Sequence, residues 1–153
     1  MLLGVLLVLS DGLLKLFLHG QMPRLSRCFV SSWSCLGWHE NYGIAFDLAI
    51  PFRILLILSA YLFILLANRA LYWYKTNPRL CAGYLLVLMG GIGNFIDRVA
   101  NGFTTDYIIL WRLSAINLSD LVVILGVIVL ITVHAKKTPQ PLSTGMIDDI
   151  KNP

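Results

Sequence analysis

Four aspartates in this sequence lie in or beside strongly apolar stretches: Asp11, Asp97, Asp106 and Asp120. A charged carboxylate near the centre of a bilayer costs about 2.5–3.5 kcal/mol on insertion scales, so such a residue indicates a functional site or a buried partner. Asp120 is followed by thirteen uncharged residues. Asn117 precedes it by three positions, which places both side chains on one face of a helix. Asp120 is therefore a candidate for chemistry within a membrane.

Asp106 is a second candidate, because it lies in the short linker 102–107 between two apolar stretches. Such a linker returns the chain to the same membrane face, so Asp106 and Asp120 can meet although they are fourteen positions apart. Two facing carboxylates in a partly dehydrated site share one proton, which gives a general base and a general acid. This is the chemistry of aspartic proteases. The alternative, that each aspartate pairs with an arginine or caps a helix, is equally compatible with the spacing.

The other charged residues near these stretches favour structural roles. Asp97 is adjacent to Arg98 at the end of an apolar stretch, with Asn94 one turn earlier. Adjacent opposite charges at a helix end are usually a structural pair, although Arg98 could also meet a substrate carbonyl or a lipid phosphate. Asp11 and Lys15 have the i, i+4 spacing at which a helix pairs opposite charges on one face.

The sequence gives little support for a metal, cofactor or nucleic-acid site. The three histidines and three cysteines lack metal-ligand spacing, so neither a metal nor another cofactor is predicted. Cys28 and Cys35 could form a disulfide in an oxidising compartment or remain free thiols. The run 90–93 contains three glycines but completes no dinucleotide motif, and small residues there favour close helix packing. A basic face with interleaved aromatic residues is absent from the sequence, which argues against a nucleic-acid partner.

The composition indicates which elements position these residues. The chain is 58% hydrophobic and 13% charged, too apolar for a water-soluble globule. Four apolar stretches, residues 1–18, 48–67, 80–96 and 113–135, are each long enough to cross a hydrocarbon core of about 30 Å. Backbone groups in lipid must satisfy one another, so each stretch is predicted to be a helix. For the first stretch a cleavable signal peptide is the rival, but a basic start and a small-x-small site are missing.

The sequence thus predicts an all-α integral membrane protein with four transmembrane helices. Residues 19–47 are mixed, and Trp33 and Trp38 suit a bilayer interface, so a small extramembrane element, possibly β, is expected between spans one and two. Residues 1–137 form the predicted transmembrane domain, and the polar tail 138–153 is expected to be disordered. Basic residues between spans two and three and after span four place both termini in the cytoplasm.

Five short motifs occur in order along these spans: Asp11-Gly-Leu-Leu-Lys15, Asn41-Tyr-Gly-Ile-Ala-Phe46, Gly90-Gly-Ile-Gly-Asn-Phe-Ile-Asp-Arg98, Gly102-Phe-Thr-Thr-Asp-Tyr107 and Ile116-Asn-Leu-Ser-Asp120. Each motif alone is weak. Together, on four spans of suitable length, they resemble the lipoprotein signal peptidases, also called signal peptidase II, over about residues 11–133.

The resemblance implies an enzyme of the bacterial inner membrane that removes signal peptides from diacylglyceryl-modified prolipoproteins, cutting just before the lipidated cysteine. It implies that Asp106 and Asp120 are the catalytic pair, near the outer face of the membrane. The matched positions that line or support the site are Asn41, Asn94, Arg98 and Asn117, and those with structural roles are Asp11, Lys15 and Asp97. The partners it implies are lipidated prolipoproteins and membrane lipid. A monomer without a cofactor is expected.

The sequence departs from the family pattern at several positions. Gly12 stands where the family usually has Gln, Tyr107 where it has Phe, and Ile116 and Ser119 where it has Phe and Ala. The linker between the two aspartates is also shorter and lacks a proline. An inactive four-span protein that binds lipidated partners is the alternative function. A small proton-coupled transporter using Asp120 is a third, but inverted repeats are missing from the sequence.

Overall fold

The computed structural model describes residues 2–21, 27–31, 34–43, 50–110 and 114–135. It contains four helices, α1 (Leu2–Gln21), α2 (Phe52–Trp73), α3 (Pro78–Asn101) and α4 (Leu118–Ala135). All four are long and apolar enough to cross a membrane. The prediction of four transmembrane helices is confirmed. The tail 138–153 and the side chains of Cys28 and Cys35 lie outside the described part, so the predictions for them remain open.

The ends of α3 follow from local sequence. Asn77 caps the helix, because its side-chain oxygen accepts a hydrogen bond from the backbone N–H of Leu80 at 3.2 Å. Pro78 follows as the first helical residue, where its missing N–H costs nothing. Gly102 ends the helix with a left-handed φ of 85°, a conformation that glycine adopts without steric cost.

A four-stranded antiparallel sheet lies outside the spans. Its strands are β1 (Arg27–Ser31), β2 (Ser34–Asn41), β3 (Thr104–Leu110) and β4 (Ser114–Ile116), in that order across the sheet. The predicted element between spans one and two is present as β1 and β2. The linker between α3 and α4, for which the sequence predicted no strand, adds β3 and β4 to the same sheet. Pairing between segments so distant along the chain leaves no local pattern to read.

The start of the fourth helix also differs from the prediction. The apolar stretch suggested a helix from residue 113, but residues 114–116 form β4 and pair with β3. The helix begins at Leu118. Hydropathy measures apolar character and does not distinguish a buried strand from the first turn of a helix. As a result, Asp120 lies in the first turn of α4, next to the sheet, rather than deeper in the span.

Helix α3 is the central element and contacts the other three helices. Its crossing with α4 is close because of glycines: a Cβ added at Gly126 would lie 2.8 Å from the backbone N of Val87 and 2.9 Å from the carbonyl O of Gly83. Small residues at a helix crossing allow this approach within a membrane. The side chain of Ser119 likewise fills the space beside Gly93. The expected packing role of the glycines in 90–93 is confirmed.

Helix α2 presents most of its apolar surface outward. Its buried residues are Leu55, Leu66 and Ala70, whereas Ile57 is 69% exposed and Ile64 61% exposed. An apolar surface of this extent is unfavourable in water and is suited to contact with lipid tails.

Candidate active site

Asp106 and Asp120 are brought together at the sheet end of the helices. Asp106 lies in β3 and Asp120 in the first turn of α4. Asn117 links them, since its amide nitrogen donates to Asp106 Oδ1 at 2.6 Å and its amide oxygen accepts from the backbone N–H of Asp120 at 2.9 Å. We call these two aspartates the aspartate pair. Their predicted meeting is therefore seen in the fold.

Asn117 reaches this position as the residue that caps α4, not as a helical residue on the same face as Asp120. The carboxylate of Asp120 accepts a hydrogen bond from the backbone N–H of Asn117 at 3.1 Å, while the side chain of Asn117 accepts from the backbone N–H of Asp120. This reciprocal arrangement is a capping box. It fixes Asp120 at the positive end of the helix dipole, which stabilises a negative charge.

Asp106 is held by neutral donors. Asn41 donates to Asp106 Oδ2 at 2.9 Å, and Asn117 donates to the other oxygen. Antiparallel pairing of β2 with β3 places Asn41 opposite Thr104, beside Asp106. Asp106 is only 1% exposed. Burial raises the pKa of Asp106 to about 6, with a further increase from the charge of Asp120, and outweighs the lowering by the hydrogen bonds from Asn41 and Asn117. Asp106 can therefore exchange a proton near neutral pH.

Asp120 is held from a second side by Asn94. The amide nitrogen of Asn94 donates to Asp120 Oδ1 at 2.7 Å. Its amide oxygen accepts from Lys15 Nζ at 3.1 Å. Because the ammonium group of Lys15 can only donate, it orients the amide of Asn94 so that the NH₂ group faces Asp120.

Lys15 also joins two other carboxylates. Its Nζ lies 2.8 Å from Asp11 Oδ2 and 3.3 Å from Asp97 Oδ2, and all three side chains are buried. We call Lys15, Asp11 and Asp97 the lysine cluster. The i, i+4 pair predicted for Asp11 and Lys15 is present. The ammonium group thereby reaches three acceptors, counting Asn94, which equals its number of N–H donors.

The prediction that Asp97 pairs with Arg98 was wrong. Within 4.0 Å its ion-pair partner in the described part of the chain is Lys15 rather than the adjacent Arg98. Consecutive helical residues point about 100° apart, so neighbours in sequence face different surroundings. Asp97 also accepts hydrogen bonds from the backbone N–H of Thr105 at 2.6 Å and from the side chain of Asn101 at 2.7 Å. It thus fastens the end of α3 to the start of β3.

Arg98 faces the other side of the site. Its Nη2 donates to the carbonyl oxygen of Gly43 at 2.9 Å. Its buried Nε has no hydrogen-bond partner among the described residues, and the guanidinium lies within electrostatic reach of Asp106 and Asp120. A buried N–H without a partner is rare in a folded protein.

Two residues at the site were recognised in the sequence only as departures from the family pattern. The hydroxyl of Tyr107 donates to Asp11 Oδ1 at 2.7 Å, and that of Ser119 donates to Asp11 Oδ2 at 2.7 Å. Both side chains are buried. Each residue carries a hydroxyl that the usual Phe or Ala lacks. This added hydroxyl was the feature of the sequence that could have indicated a hydrogen-bonding role.

Among the described residues there is no group of three or more His, Cys, Asp or Glu side chains that could hold a metal ion. The residues at the site are instead carboxylates held by amide and hydroxyl donors. The sequence-based prediction of metal-free chemistry remains a prediction.

The chain is similar to known proteins over most of its length. A family model described as signal peptidase (SPase) II matches residues 3–136. A lipoprotein signal peptidase of Chlorobium phaeobacteroides is 33% identical over 111 residues, covering 69% of this chain and 67% of the relative. One from Brucella ovis is 30% identical over 132 residues, covering 80% of each chain.

Solved structures share the fold. One described as a bacterial membrane enzyme structure, obtained by the in meso method at 2.3 Å resolution, matches with a TM-score of 0.75 and 24% identity over 93% of both chains. A second, obtained by the same method at 1.9 Å, has a TM-score of 0.73. With the family model covering most of the sequence, the chain belongs to the signal peptidase II family of aspartic-type lipoprotein signal peptidases.

Proposed function

We propose that this protein is an intramembrane aspartic endopeptidase that cleaves signal peptides from diacylglyceryl-modified prolipoproteins, just before the lipidated cysteine. Family membership supports the substrate class. The observation that carries the mechanism is the aspartate pair: Asn117 bonds Asp106 and the backbone of Asp120, and the pKa of Asp106 is raised to about 6. One carboxyl can therefore hold a proton while the other is ionised.

In the proposed reaction Asp106 carries the shared proton and Asp120 is the base. Asp120 takes a proton from a water molecule, whose oxygen bonds to the scissile carbonyl carbon while Asp106 gives its proton to the carbonyl oxygen. The tetrahedral diol then collapses. The C–N bond breaks, Asp120 returns its proton to the leaving nitrogen, and a diol hydroxyl returns one to Asp106. Both carboxyl groups end in their starting states.

The other predicted site residues act by position. Asn41, Asn94 and Asn117 each bond at least one member of the aspartate pair and set its orientation. The Nε of Arg98 has no hydrogen-bond partner among the described residues, which supports a role as donor to a substrate oxygen. The lysine cluster supports the site through Asn94, which accepts from Lys15 and donates to Asp120. Both aspartates come from one chain, which supports a monomer as the active form.

The topology supports a site near the outer face. The aspartate pair lies where α3 ends and α4 begins, beside the middle of α1, whose Asp11 accepts from the backbone N–H of Leu118. The last residues of α4 are therefore at the opposite end of that helix. If both termini are cytoplasmic, as the basic residues indicate, the site faces outward. A lipid-anchored substrate would hold its scissile bond at this depth.

We expect the lipid on the substrate to contribute strongly to turnover. Each buried CH₂ of an acyl chain contributes about 0.8 kcal/mol, so two chains outweigh a few side-chain contacts. Anchoring also limits the depth and orientation of the scissile bond. On one prolipoprotein peptide, removal of the diacylglyceryl group should lower kcat/KM by roughly a hundredfold or more. Equal values for the two peptides would favour a general intramembrane peptidase.

The decisive experiment is cleavage of the lipidated peptide by the purified protein in detergent, with the cut site read by mass spectrometry. Asp106→Asn and Asp120→Asn should each lower the rate by about three to six orders of magnitude while the protein still folds, because Asn cannot transfer the proton. The same assay with a chelator should give an unchanged rate.

Substantial turnover by either variant would contradict the aspartate pair as the catalytic residues. Loss of activity with a chelator, restored by zinc, would contradict a metal-free mechanism. Binding of the lipidated peptide by the wild-type protein without cleavage would favour the inactive binding protein.

A further inference from the structure

The hydroxyl of Tyr107 occupies a specific place between two elements of the site. Tyr107 is 2% exposed, and its Oη donates to Asp11 Oδ1 at 2.7 Å. The same oxygen accepts from the backbone N–H of Leu118 at 3.0 Å. Leu118 is the first residue of α4, and its N–H is one of the groups that a helix leaves without an internal partner. The hydroxyl therefore connects β3, α1 and the N-terminus of α4.

The contact is part of a continuous attachment between two short segments. In β3, the carbonyl of Thr105 and the carboxylate of Asp106 accept from the side chain of Asn117, at 3.4 and 2.6 Å. Tyr107 follows Asp106 in β3, and Leu118 follows Asn117 at the start of α4. The hydroxyl of Tyr107 accepts from the backbone N–H of Leu118. Successive side chains of a strand point to opposite faces, so Asp106 and Tyr107 hold the start of α4 from two sides.

Asp11 closes this attachment from α1. Its Oδ1 accepts from Tyr107 and from the backbone N–H of Leu118 at 3.0 Å, and its Oδ2 accepts from Ser119 and Lys15. The two hydroxyls that distinguish this chain from the usual Phe and Ala of the family pattern thus donate to the same carboxylate. Burial, followed by the hydrogen bond to Asp11, raises the pKa of Tyr107 above its ordinary value, so the hydroxyl remains a donor at working pH.

We propose that Tyr107 is a positioning residue whose hydroxyl, through Asp11 and Leu118, fixes the first turn of α4 and therefore sets Asp120 relative to Asp106. Ser119 makes the second attachment to Asp11. Both hydroxyls belong to buried side chains and donate to Asp11, so we expect both to act on the chemical step rather than on binding. This inference rests on the proposed function, because it assumes that the aspartate pair is catalytic.

The test uses Tyr107→Phe, which removes the hydroxyl and keeps the ring that fills the buried space. Its kcat on the lipidated peptide should fall by about three- to tenfold, the effect of one buried hydrogen bond, with KM within twofold of wild type. Ser119→Ala should lower kcat similarly or less. Tyr61→Phe and Ser59→Ala, both on α2 away from the site, are matched controls that should leave kcat unchanged.

A double-mutant cycle isolates the route through Asp11. Asp11→Ala removes the carboxylate and leaves no acceptor in its place. If Tyr107 acts through Asp11 as well as through Leu118, Tyr107→Phe should lower kcat by a smaller factor in an Asp11→Ala background than in the wild-type protein, because only the contact with Leu118 is left to lose. Unchanged kcat in Tyr107→Phe, a loss confined to KM, or a loss in the Asp11→Ala background equal to that in the wild-type protein would each overturn the proposal.

A structural readout separates this inference from the proposed function. Hydrogen–deuterium exchange over residues 117–121 should speed up in Tyr107→Phe, relative to Tyr61→Phe, because the N–H of Leu118 loses one of its acceptors. Equal exchange in the two variants would overturn the positioning role even if the protein cleaves no peptide. Conversely, cleavage that survives Asp106→Asn would defeat the catalytic assignment and leave the exchange result unaffected.

Discussion

Asp11 and Asp106 are buried to the same extent, each 1% exposed, yet they are surrounded by opposite kinds of partner. Asp11 belongs to the lysine cluster and accepts from an ammonium group, two hydroxyls and a backbone N–H. Asp106 belongs to the aspartate pair and accepts from the amide groups of Asn41 and Asn117. Their exposure is equal, so the difference between the two carboxylates lies in their partners.

The difference shows how one small polar region can contain both structural and reactive carboxylates. A buried carboxylate beside a cation has its charge balanced, and removing the cation is costly. One held by neutral amides keeps its orientation without that balance, so a proton can bind at moderate pH. In the proposed mechanism the lysine cluster provides rigidity, and the aspartate pair provides proton transfer. The three predictions that follow test this division, in order of decreasing effect.

The largest effect is expected when the cation is removed. Lys15→Met leaves Asp11 and Asp97 buried without a balancing charge, and should lower the free energy of unfolding by about 3–5 kcal/mol. The measurement is the thermal unfolding midpoint in detergent. Lys75→Met, in the turn between α2 and α3, is the control and should leave the midpoint unchanged. Equal midpoints for the two variants would mean that the lysine cluster does not stabilise the fold.

A smaller loss of stability is expected for Asp97→Asn. Both oxygens of Asp97 accept from donors, Thr105 N on one side and Asn101 Nδ2 on the other, so the NH₂ group of an asparagine would face a donor. The unsatisfied contact should cost about 1–3 kcal/mol. Folded Asp97→Asn should still cleave, unlike Asp106→Asn. A well-folded variant that binds the lipidated peptide and cannot cut it would move Asp97 into the catalytic group.

The smallest effect concerns the pH dependence of the aspartate pair. The hydrogen bond from Asn41 lowers the pKa of Asp106, so Asn41→Ala should raise this pKa further above its ordinary value. In the proposed mechanism Asp106 acts in its protonated form, so the fall of kcat/KM at alkaline pH should move to higher pH in the variant. Asn68→Ala, on the exposed side of α2, is the control. If kcat/KM of the variant falls at the same pH as that of the wild type, or at a lower pH, the role of Asn41 is contradicted.

Much of the fold could be predicted because it depends on local properties. Four apolar stretches of sufficient length require four helices in lipid, whatever their neighbours. The spacing of Asp11 and Lys15 places them on one helix face, and they pair there. The three-residue spacing of Asn117 and Asp120 was also informative, although it produces a capping box rather than two helical side chains. Such relations span one turn of helix.

The order of motifs along the chain indicated which residues belong to one site, but not how they contact one another. Asn41 reaches Asp106 because β2 pairs with β3, and Lys15 orients Asn94 from 79 positions away. Tyr107 reaches Asp11 across 96 positions. The sequence by itself determined the spans and their local pairs, and it predicted Asp106 and Asp120 as the candidate catalytic pair. Only the tertiary structure decided which buried carboxylates receive a cation and which receive amides, because that depends on packing between distant segments.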